Sequence, residues 1–222
     1  MIGFDYTAET VAENVAVDEW LLTHCATEQW PMTLRCWIPN HVGVVVGYGN
    51  RIDKEVNQLA CDMDGVPIIR RCSGGGAVVV GPGCLCYALV GSICNQSEWA
   101  TIHGVTNWVM GHMQHMLHDV LGLQVDCRGT SDLVMNGLKI SGNAQRRIRN
   151  AVLFHGTFLC QFNLETVSRY LHHPSREPAY RDGRPHHLFV SNLQVDPFQL
   201  KKGMMAWFGA TEDGQFTIPV MK

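Results

Sequence analysis

No run among the 222 residues approaches the roughly 18 consecutive apolar positions of a membrane span. The first twenty, MIGFDYTAETVAENVAVDEW, are acidic where a secretory leader needs a basic start and an apolar core. Nine cysteines (25, 36, 61, 72, 84, 86, 94, 127 and 160) are odd in number and scattered without a CxxC pair, which argues against a disulfide framework or a structural zinc site. Positive charge is short as well: 17 Lys and Arg against 20 Asp and Glu leave a formal net charge of −3, so no global basic field attracts nucleic acid. There is no Gly-Lys-Ser/Thr of a Walker loop, and the one glycine-rich stretch leads into a strand pattern rather than the helix of a Rossmann fingerprint. His112, His115 and His118 fan around a helix instead of converging on a metal, while Cys84 and Cys86 share one face of an apolar strand, a packing pattern. The expectation is a soluble, cytoplasmic protein without membrane or nucleic-acid partners and without a resident metal.

What the chain does hold is enough apolar sequence for one large domain, which at this length buries roughly 70% of its unfolded surface. Thr10 and Glu13 stand at capping-box spacing before apolar Val11, Val15, Leu22 and Cys25, predicting an amphipathic N-terminal helix. LRCWI, VGVVVGYG, VPIIRR, GAVVV and CLCYALVGS are short, β-branched or aromatic, and divided by Pro, Gly and Asn, which suggests consecutive strands of one sheet. A helix then ends at Gly122, and QVDCR, DLVM, LKIS and AVLFHGTFLCQF return to strand. Asn163 reads as the cap of a helix LETVSRYLHH, and Asp196-Pro197 as the start of another. Between them PSREPAYRDGRPHHLFVSNL reads as a long loop of the kind that often carries function.

Two stretches carry chemistry. In SDLVMNGLKISGNAQRR, Asn136-Gly137 predicts a type I′ hairpin turn. Pairing outward sets Met135 opposite Leu138, Val134 opposite Lys139, Leu133 opposite Ile140 and Asp132 opposite Ser141. Asp132 and Lys139 then become diagonal neighbours on one face, within reach of an ion pair. In RRCSGGGAVVVGPG, three successive glycines give a backbone that a ligand can approach closely or whose amides can nest an anion, with Arg71 adding fixed charge. A glycine bulge at a sheet edge is the plainer alternative. Arg146, Arg147 and Arg149 form either a solvated face or a landing site for an acidic partner, and His155, alternating with Leu153 and Thr157, is either a core histidine or a site residue.

Four ordered segments, Arg70 to Ala77, Gly129 to Leu133, Lys139 to Ala144 and His155 to Thr157, resemble the Arg-Arg-x-Ser-Gly-Gly-Gly-Ala, Gly-x-x-Asp-Leu, Lys-x-Ser-Gly-x-Ala and His-Gly-Thr motifs of the lipoate-protein ligase family, within the biotin and lipoate ligase superfamily. Echoes at NVAVDEWLL, VVVGYGNRIDKEVN and VSNL extend the likeness across residues 10–195. The resemblance implies an α/β (α+β) domain with a mixed, largely antiparallel sheet flanked by helices, spanning 1–222 as a single catalytic domain without a C-terminal accessory domain. It implies lipoate or octanoate and ATP (with magnesium) as substrates, an acyl-adenylate intermediate, and a lipoyl-type carrier domain as acceptor, with a small accessory subunit as a further partner. By motif position, Lys139 corresponds to the lysine contacting acyl carbonyl and phosphate. Arg71, Ser73, Gly74, Gly75 and Gly76 match the acyl-phosphate cradle, Asp132 the nucleotide side, and Ser141, Gly142, Asn143 and Ala144 the lining segment, with Arg146 and His155 as further candidates.

Two departures touch the nucleotide side. Val80-Gly81 stands where the ligases usually carry His-Asp, and Ser131 replaces a common asparagine. Related octanoyltransferases use a cysteine upstream of the lysine hairpin as nucleophile, so Cys127 supplies an alternative, ATP-independent octanoyl or lipoyl transfer. A non-catalytic acyl- or carrier-binding subunit is the third reading.

Overall fold

The computed structural model describes residues 1–27, 30–95 and 97–212. In chain order the elements are β1 (Ile2–Asp5), α1 (Val11–Thr27), β2 (Thr33–Trp37), β3 (Gly43–Val46), α2 (Ile52–Glu55), α3 (Gln58–Asp64), β4 (Ile68–Arg70), β5 (Val78–Val80), β6 (Cys84–Ser92) and α4 (Ile102–Leu121). There follow β7 (Asp126–Arg128), β8 (Asp132–Met135), β9 (Leu138–Ile148), β10 (Ala151–Leu159), α5 (Glu165–Tyr170), α6 (Pro197–Trp207) and β11 (Thr211–Glu212). No helix among the described residues is long and apolar enough to cross a membrane.

Local signals place the helices. The Thr10 Oγ1 accepts from Glu13 N at 3.2 Å and Glu13 Oε2 accepts from Thr10 N at 2.8 Å, the reciprocal bonds of a capping box. Helix α4 starts where Thr101 Oγ1 accepts from Gly104 N at 2.9 Å and stops at Gly122, which is left-handed at φ 68°. Asp196 caps α6 by accepting from Phe198 N at 2.9 Å, with Pro197 at the first helical position. Helix α5 is shorter than its sequence suggests, because Leu171 turns extended and bridges to Val56.

The strands form two sheets, not one. An eight-stranded mixed sheet runs β11-β1-β2-β6-β10-β9-β8-β7, antiparallel except where β1 meets β2 and β11, and a separate three-stranded sheet runs β4-β3-β5. Strand patterning finds nine of the eleven strands among the described residues, β2 to β10, and misses the terminal β1 and β11, while chain reversals choose the partners. Gly81-Pro82-Gly83 bends the chain sharply between β5 and β6, and its proline has no N–H for a ladder, so β6 leaves the small sheet for the centre of the large one. One face of the large sheet packs on α4 and α6 through Leu85, Tyr87, Leu89, Phe154, Met113 and Met204, all at most 1% exposed. The opposite face meets α1 through Leu21, Ala88, Val90 and Leu153. Val11, Val15, Trp37, Val45, Val80 and Cys86 then join α1 and the two sheets, which brings the small sheet over the large one.

The hairpin turn forms as expected, with Asn136 at φ 53° and Gly137 at φ 78°. Met135 faces Leu138 and Val134 faces Lys139. Beyond them a bulge between Leu133 and Val134 shifts the register, so Leu133 faces Ser141 and Asp132 faces Gly142, and the expected Leu133–Ile140 and Asp132–Ser141 pairs do not form. Turn chemistry governs only the pairs beside the turn. The extra residue in β9 lets Leu133 and Ile140 both reach 0% exposure in the core, which offsets the lost ladder pairing.

Candidate active site

A cavity of about 920 Å³ opens between the two sheets, at the upper end of the range for small-molecule sites. Its apolar wall is Val15, Trp37, Val45, Val80 and Cys86, and its polar wall includes Asp132, Lys139, Arg71, the triple glycine and His155. Val80, one of the two departures noted above, thus lies in hydrocarbon surroundings at 2% exposure.

Lys139 and Asp132 meet across the bulged hairpin, Nζ to Oδ1 at 2.8 Å, with side chains 25% and 14% exposed. That burial removes the pair from the class of solvated surface ion pairs, whose contribution is about 0–1 kcal/mol. The lysine reaches inward over Gly142. A Cβ at 142 would stand 2.7 Å from Nζ and 2.8 Å from Cε, so the glycine of Lys-x-Ser-Gly is the floor on which the lysine lies. An ammonium has three donors and Asp132 takes one, which leaves two for ligand oxygens.

The two arginines of the glycine-loop motif serve different loops. Arg70 Nη1 donates to Gly47 O, Tyr48 O and Asn50 O at 2.8, 2.9 and 2.9 Å, clamping the 47–50 turn at the cavity rim. Arg71 donates from Nη2 to Gly74 O and Gly76 O at 2.6 and 2.9 Å, and from Nη1 to Val45 O at 3.3 Å. It is 7% exposed, and burial pulls its guanidinium down to about 10. No carboxylate among the described residues pairs with it. The result is a fixed cation, uncompensated at contact range, beside a loop whose middle glycine is left-handed at φ 87°.

Ser73 is placed differently from its expected part in the cradle wall. It is fully buried beneath the loop, outside the cavity lining, and its Oγ stands 2.9 Å from Arg71 Nε and 2.6 Å from His155 Nε2. His155 Nδ1 is 3.2 Å from Asp18 Oδ2, and Asp18 Oδ1 accepts from Arg35 Nη1 at 2.6 Å. His155 therefore lines the cavity and is a satisfied buried histidine at once. Asp18, from the middle of α1, was missed by sequence reasoning. The signal was there: it occupies the i+7 place on the stripe begun by Val11 and Val15, a charge on an apolar face.

The segment after the lysine closes a second set of contacts. Asn143 Nδ2 donates to Ser131 O at 2.7 Å and Ser131 Oγ donates to Asn143 O at 2.8 Å, so the serine that replaces an asparagine pins the β7–β8 turn to β9. Tyr87 donates its hydroxyl to Asn143 Oδ1 at 2.7 Å across Gly156. A Cβ at 156 would lie 1.7 Å from that oxygen, which accounts for the glycine of His-Gly-Thr. Ser141, Asn143 and Ala144 all line the cavity. The long loop contributes Tyr180, Arg181 and a strap on the hairpin, where Lys139 N donates to Phe189 O and Ser191 N to Lys139 O, each at 2.9 Å.

Three candidates stand apart. Cys127 is exposed on edge strand β7 and does not line the cavity, and desolvation together with Asp132 pushes its thiol up. Arg146 lies over the Tyr48 ring at 5.3 Å, outside the cavity lining, while Arg147 donates to Trp99 O and Ala100 O, so the arginine cluster is divided between tasks. On α4, His112 packs against Trp108 and Phe208 and His118 pairs with Asp119.

Motif, fold and cavity agree with the family comparison, in which the model of the lipoyl protein ligase A/B catalytic domain matches residues 10–195. The chain belongs to this family. It is 27% identical over 158 residues to lipoate-protein ligase 1 of Staphylococcus aureus, covering 71% of this chain and 45% of the relative. The chain thus spans about half the length of the curated relatives it matches. Among solved structures, a lipoate-protein ligase A bound with ATP superposes with a TM-score of 0.77 at 21% identity over 96% of this chain and 89% of its own. A bipartite lipoate-protein ligase of Thermoplasma acidophilum, studied with its E2 lipoyl domain, gives 0.73 at 20% over 96% and 86%. The ligase-family fold is the mixed α/β arrangement described above.

Proposed function

We propose that this cavity joins a medium-chain acyl carboxylate, lipoate or octanoate, to ATP as an acyl adenylate and then passes the acyl group to a lysine of a lipoyl-type carrier domain. The observation that carries the reading is the Lys139 ammonium, held by Asp132 at 2.8 Å, in the wall of the same cavity as the uncompensated Arg71. Adenylation brings a carboxylate against a polyphosphate, and two negative charges 4 Å apart repel by about 4 kcal/mol at an effective dielectric of 20. A fixed cation between them reverses the sign, and little reorganisation is needed because Asp132 and the strand pairing already hold it in place.

In the first step a carboxylate oxygen bonds to the α-phosphorus of magnesium-bearing ATP and pyrophosphate leaves. In the second the carrier amine bonds to the acyl carbonyl carbon, AMP leaves with the electrons of the broken C–O bond, and the amine proton passes to solvent. Lys139 meets the carboxylate and phosphate oxygens in the first step and the carbonyl oxygen in the second. Arg71 and the amides of Gly74, Gly75 and Gly76 cradle the acyl phosphate, and the Val15, Trp37, Val45, Val80 and Cys86 wall takes the hydrocarbon tail. The Staphylococcus aureus relative's name, the ATP-bound neighbour and the Thermoplasma acidophilum ligase with its lipoyl domain support the substrates and the acceptor. That bipartite neighbour also favours a small accessory subunit as partner. The nine free thiols suit a reducing compartment, and we place the reaction in the cytoplasm.

The test supplies apo carrier domain with octanoate or lipoate, with and without ATP, and separately with octanoyl carrier protein. ATP-dependent carrier modification, abolished in Lys139→Ala, is the expected result. ATP-free transfer from octanoyl carrier protein replaces the proposal with the transferase reading, and carrier binding without modification replaces it with the non-catalytic one.

A further inference from the structure

Asp18, His155 and Ser73 have the residue types and order of contact of a hydrolytic triad, but the serine cannot act as a nucleophile. Its side chain is fully buried and lies outside the cavity wall, and its oxygen already meets both His155 Nε2 and Arg71 Nε. The contacts form one chain instead: Asp18 Oδ2 to His155 Nδ1 at 3.2 Å, His155 Nε2 to Ser73 Oγ at 2.6 Å, and Ser73 Oγ to Arg71 Nε at 2.9 Å.

With the imidazole neutral, one proton arrangement satisfies every link. With the proton on Nδ1, His155 donates to Asp18 and accepts the Ser73 hydroxyl proton at Nε2, so the serine oxygen keeps a lone pair for Arg71 Nε–H. Arg71 Nε–H is shared between Ser73 Oγ, at 2.9 Å, and the longer contact to Gly74 O at 3.2 Å, and with the planar guanidinium so held Nη2 is aimed at Gly74 O and Gly76 O. Asp18 for its part is balanced by Arg35, which is wholly buried and also donates to Asn14 Oδ1, Asn14 O and Tyr6 O.

We propose that Asp18, His155 and Ser73 are positioning residues that orient the Arg71 guanidinium and the triple-glycine loop without neutralising them. A carboxylate set directly on Arg71 would hold it equally well, but it would cancel the charge that an anionic ligand needs. Placing an imidazole and a hydroxyl between carboxylate and guanidinium keeps the geometry and leaves the field. This assignment adds three residues to the function proposed above and rests on that reading for its catalytic consequence, though not for the hydrogen-bond chain itself.

The experiment reads the chain and the activity separately. Long-range proton–nitrogen NMR on the protein labelled at His and Arg reports the His155 tautomer and the exchange of the Arg71 Nε–H. The expected result is protonation at Nδ1, a protected Nε–H in the parent, and at least tenfold faster exchange in Ser73→Ala and His155→Leu. His155→Gln restores protection, because an amide can donate to Asp18 and accept from Ser73. In parallel, His155→Leu raises the KM for octanoate at least tenfold with kcat held within threefold, and His155→Gln recovers most of it. Should His155→Leu fail to fold, Ser73→Ala, the smallest perturbation, decides. Unchanged Nε–H exchange in Ser73→Ala, or an Nε2-protonated tautomer in the parent, overturns the proposal. A parent that forms no acyl adenylate but shows the tautomer and the exchange response refutes the functional reading and leaves the chain standing.

Discussion

Tyr180 donates its phenol hydroxyl to Asp132 Oδ2 at 2.8 Å, on the opposite oxygen from the one that holds Lys139. A residue of the long loop thus fixes the carboxylate that fixes the lysine, and burial and Asp132 push the phenol proton well above its usual range, so it stays on the tyrosine. Tyr180→Phe removes one hydrogen bond to a charged group without changing shape. With such bonds contributing about 1.5–3 kcal/mol to stability, the melting temperature is expected to fall by several degrees, and the adenylation kcat/KM to fall roughly tenfold or more as Asp132 loosens its hold on Lys139. Steady-state kinetics beside a melting curve checks it, and a loss of stability without loss of rate would assign Tyr180 to the fold alone.

Cys127 gives a prediction about pH. Desolvation and the neighbouring Asp132 raise its thiol pKa, so at any pH near neutrality less thiolate is present than on an ordinary cysteine, and reactivity rises only at higher pH. Alkylation by iodoacetamide, followed by peptide mass spectrometry, is expected to climb with pH along a curve displaced upward from that of a model thiol. Cys127→Ser is expected to keep carrier modification within about twofold of the parent, since the side chain lies outside the cavity and surface substitutions usually shift energies by less than about 0.5 kcal/mol. Loss of activity in that variant would revive the covalent route.

Much of this site could be read in the sequence because it depends on short-range chemistry. Asn136-Gly137 alone set the turn, and the Thr10/Glu13 box, Gly122 and Asp196-Pro197 set helix ends, each within a few residues. The Asp132–Lys139 pair followed from the turn even though the register beyond Val134 did not, because the bulge moved Asp132 by one place and a long lysine tolerates that. Asp18 and His155 lie 137 residues apart, and Tyr180 and Asp132 lie 48 apart. No local pattern encodes such meetings; they exist only once α1 and the loop are packed. The division into two sheets was hidden for the same reason, since β5 and β6 carry the same kind of apolar pattern and only the Gly81–Gly83 corner separates them.

Gly156→Ala tests whether the glycine of His-Gly-Thr is there for packing. A methyl group at 156 would meet Asn143 Oδ1 at 1.7 Å and push it off Tyr87, whose hydroxyl sits in a fully buried side chain. Overpacking of this kind costs about 1–3 kcal/mol, and a buried hydroxyl left without its acceptor adds about 1–3 more. Urea unfolding is expected to show a lower midpoint with an unchanged slope. Pairing Gly156→Ala with Asn143→Ala is expected to recover part of the loss, because the clashing side chain is gone; a strictly additive double variant would contradict the steric account.

Gly142→Ala separates the lysine's placement from its charge. The added methyl would fall 2.7 Å from Lys139 Nζ and 2.8 Å from Cε but 3.7 Å from Asp132 Oδ1, so it displaces the flexible lysine and leaves the carboxylate where it is. Residue 142 has ordinary strand dihedrals, which alanine adopts without strain, so the fold is expected to keep its stability within about 0.5–1 kcal/mol. Catalysis depends on geometry much more steeply, since a misplacement of about 1 Å can cost on the order of a hundredfold. Acyl-adenylate formation is therefore expected to fall towards the level of Lys139→Ala while carrier binding and melting temperature stay close to the parent. Combining the two substitutions then adds no further loss, because both remove the same ammonium from the same place. Additive losses in the double variant would mean that Gly142 serves the ligand directly and that the lysine reaches its oxygens by another path.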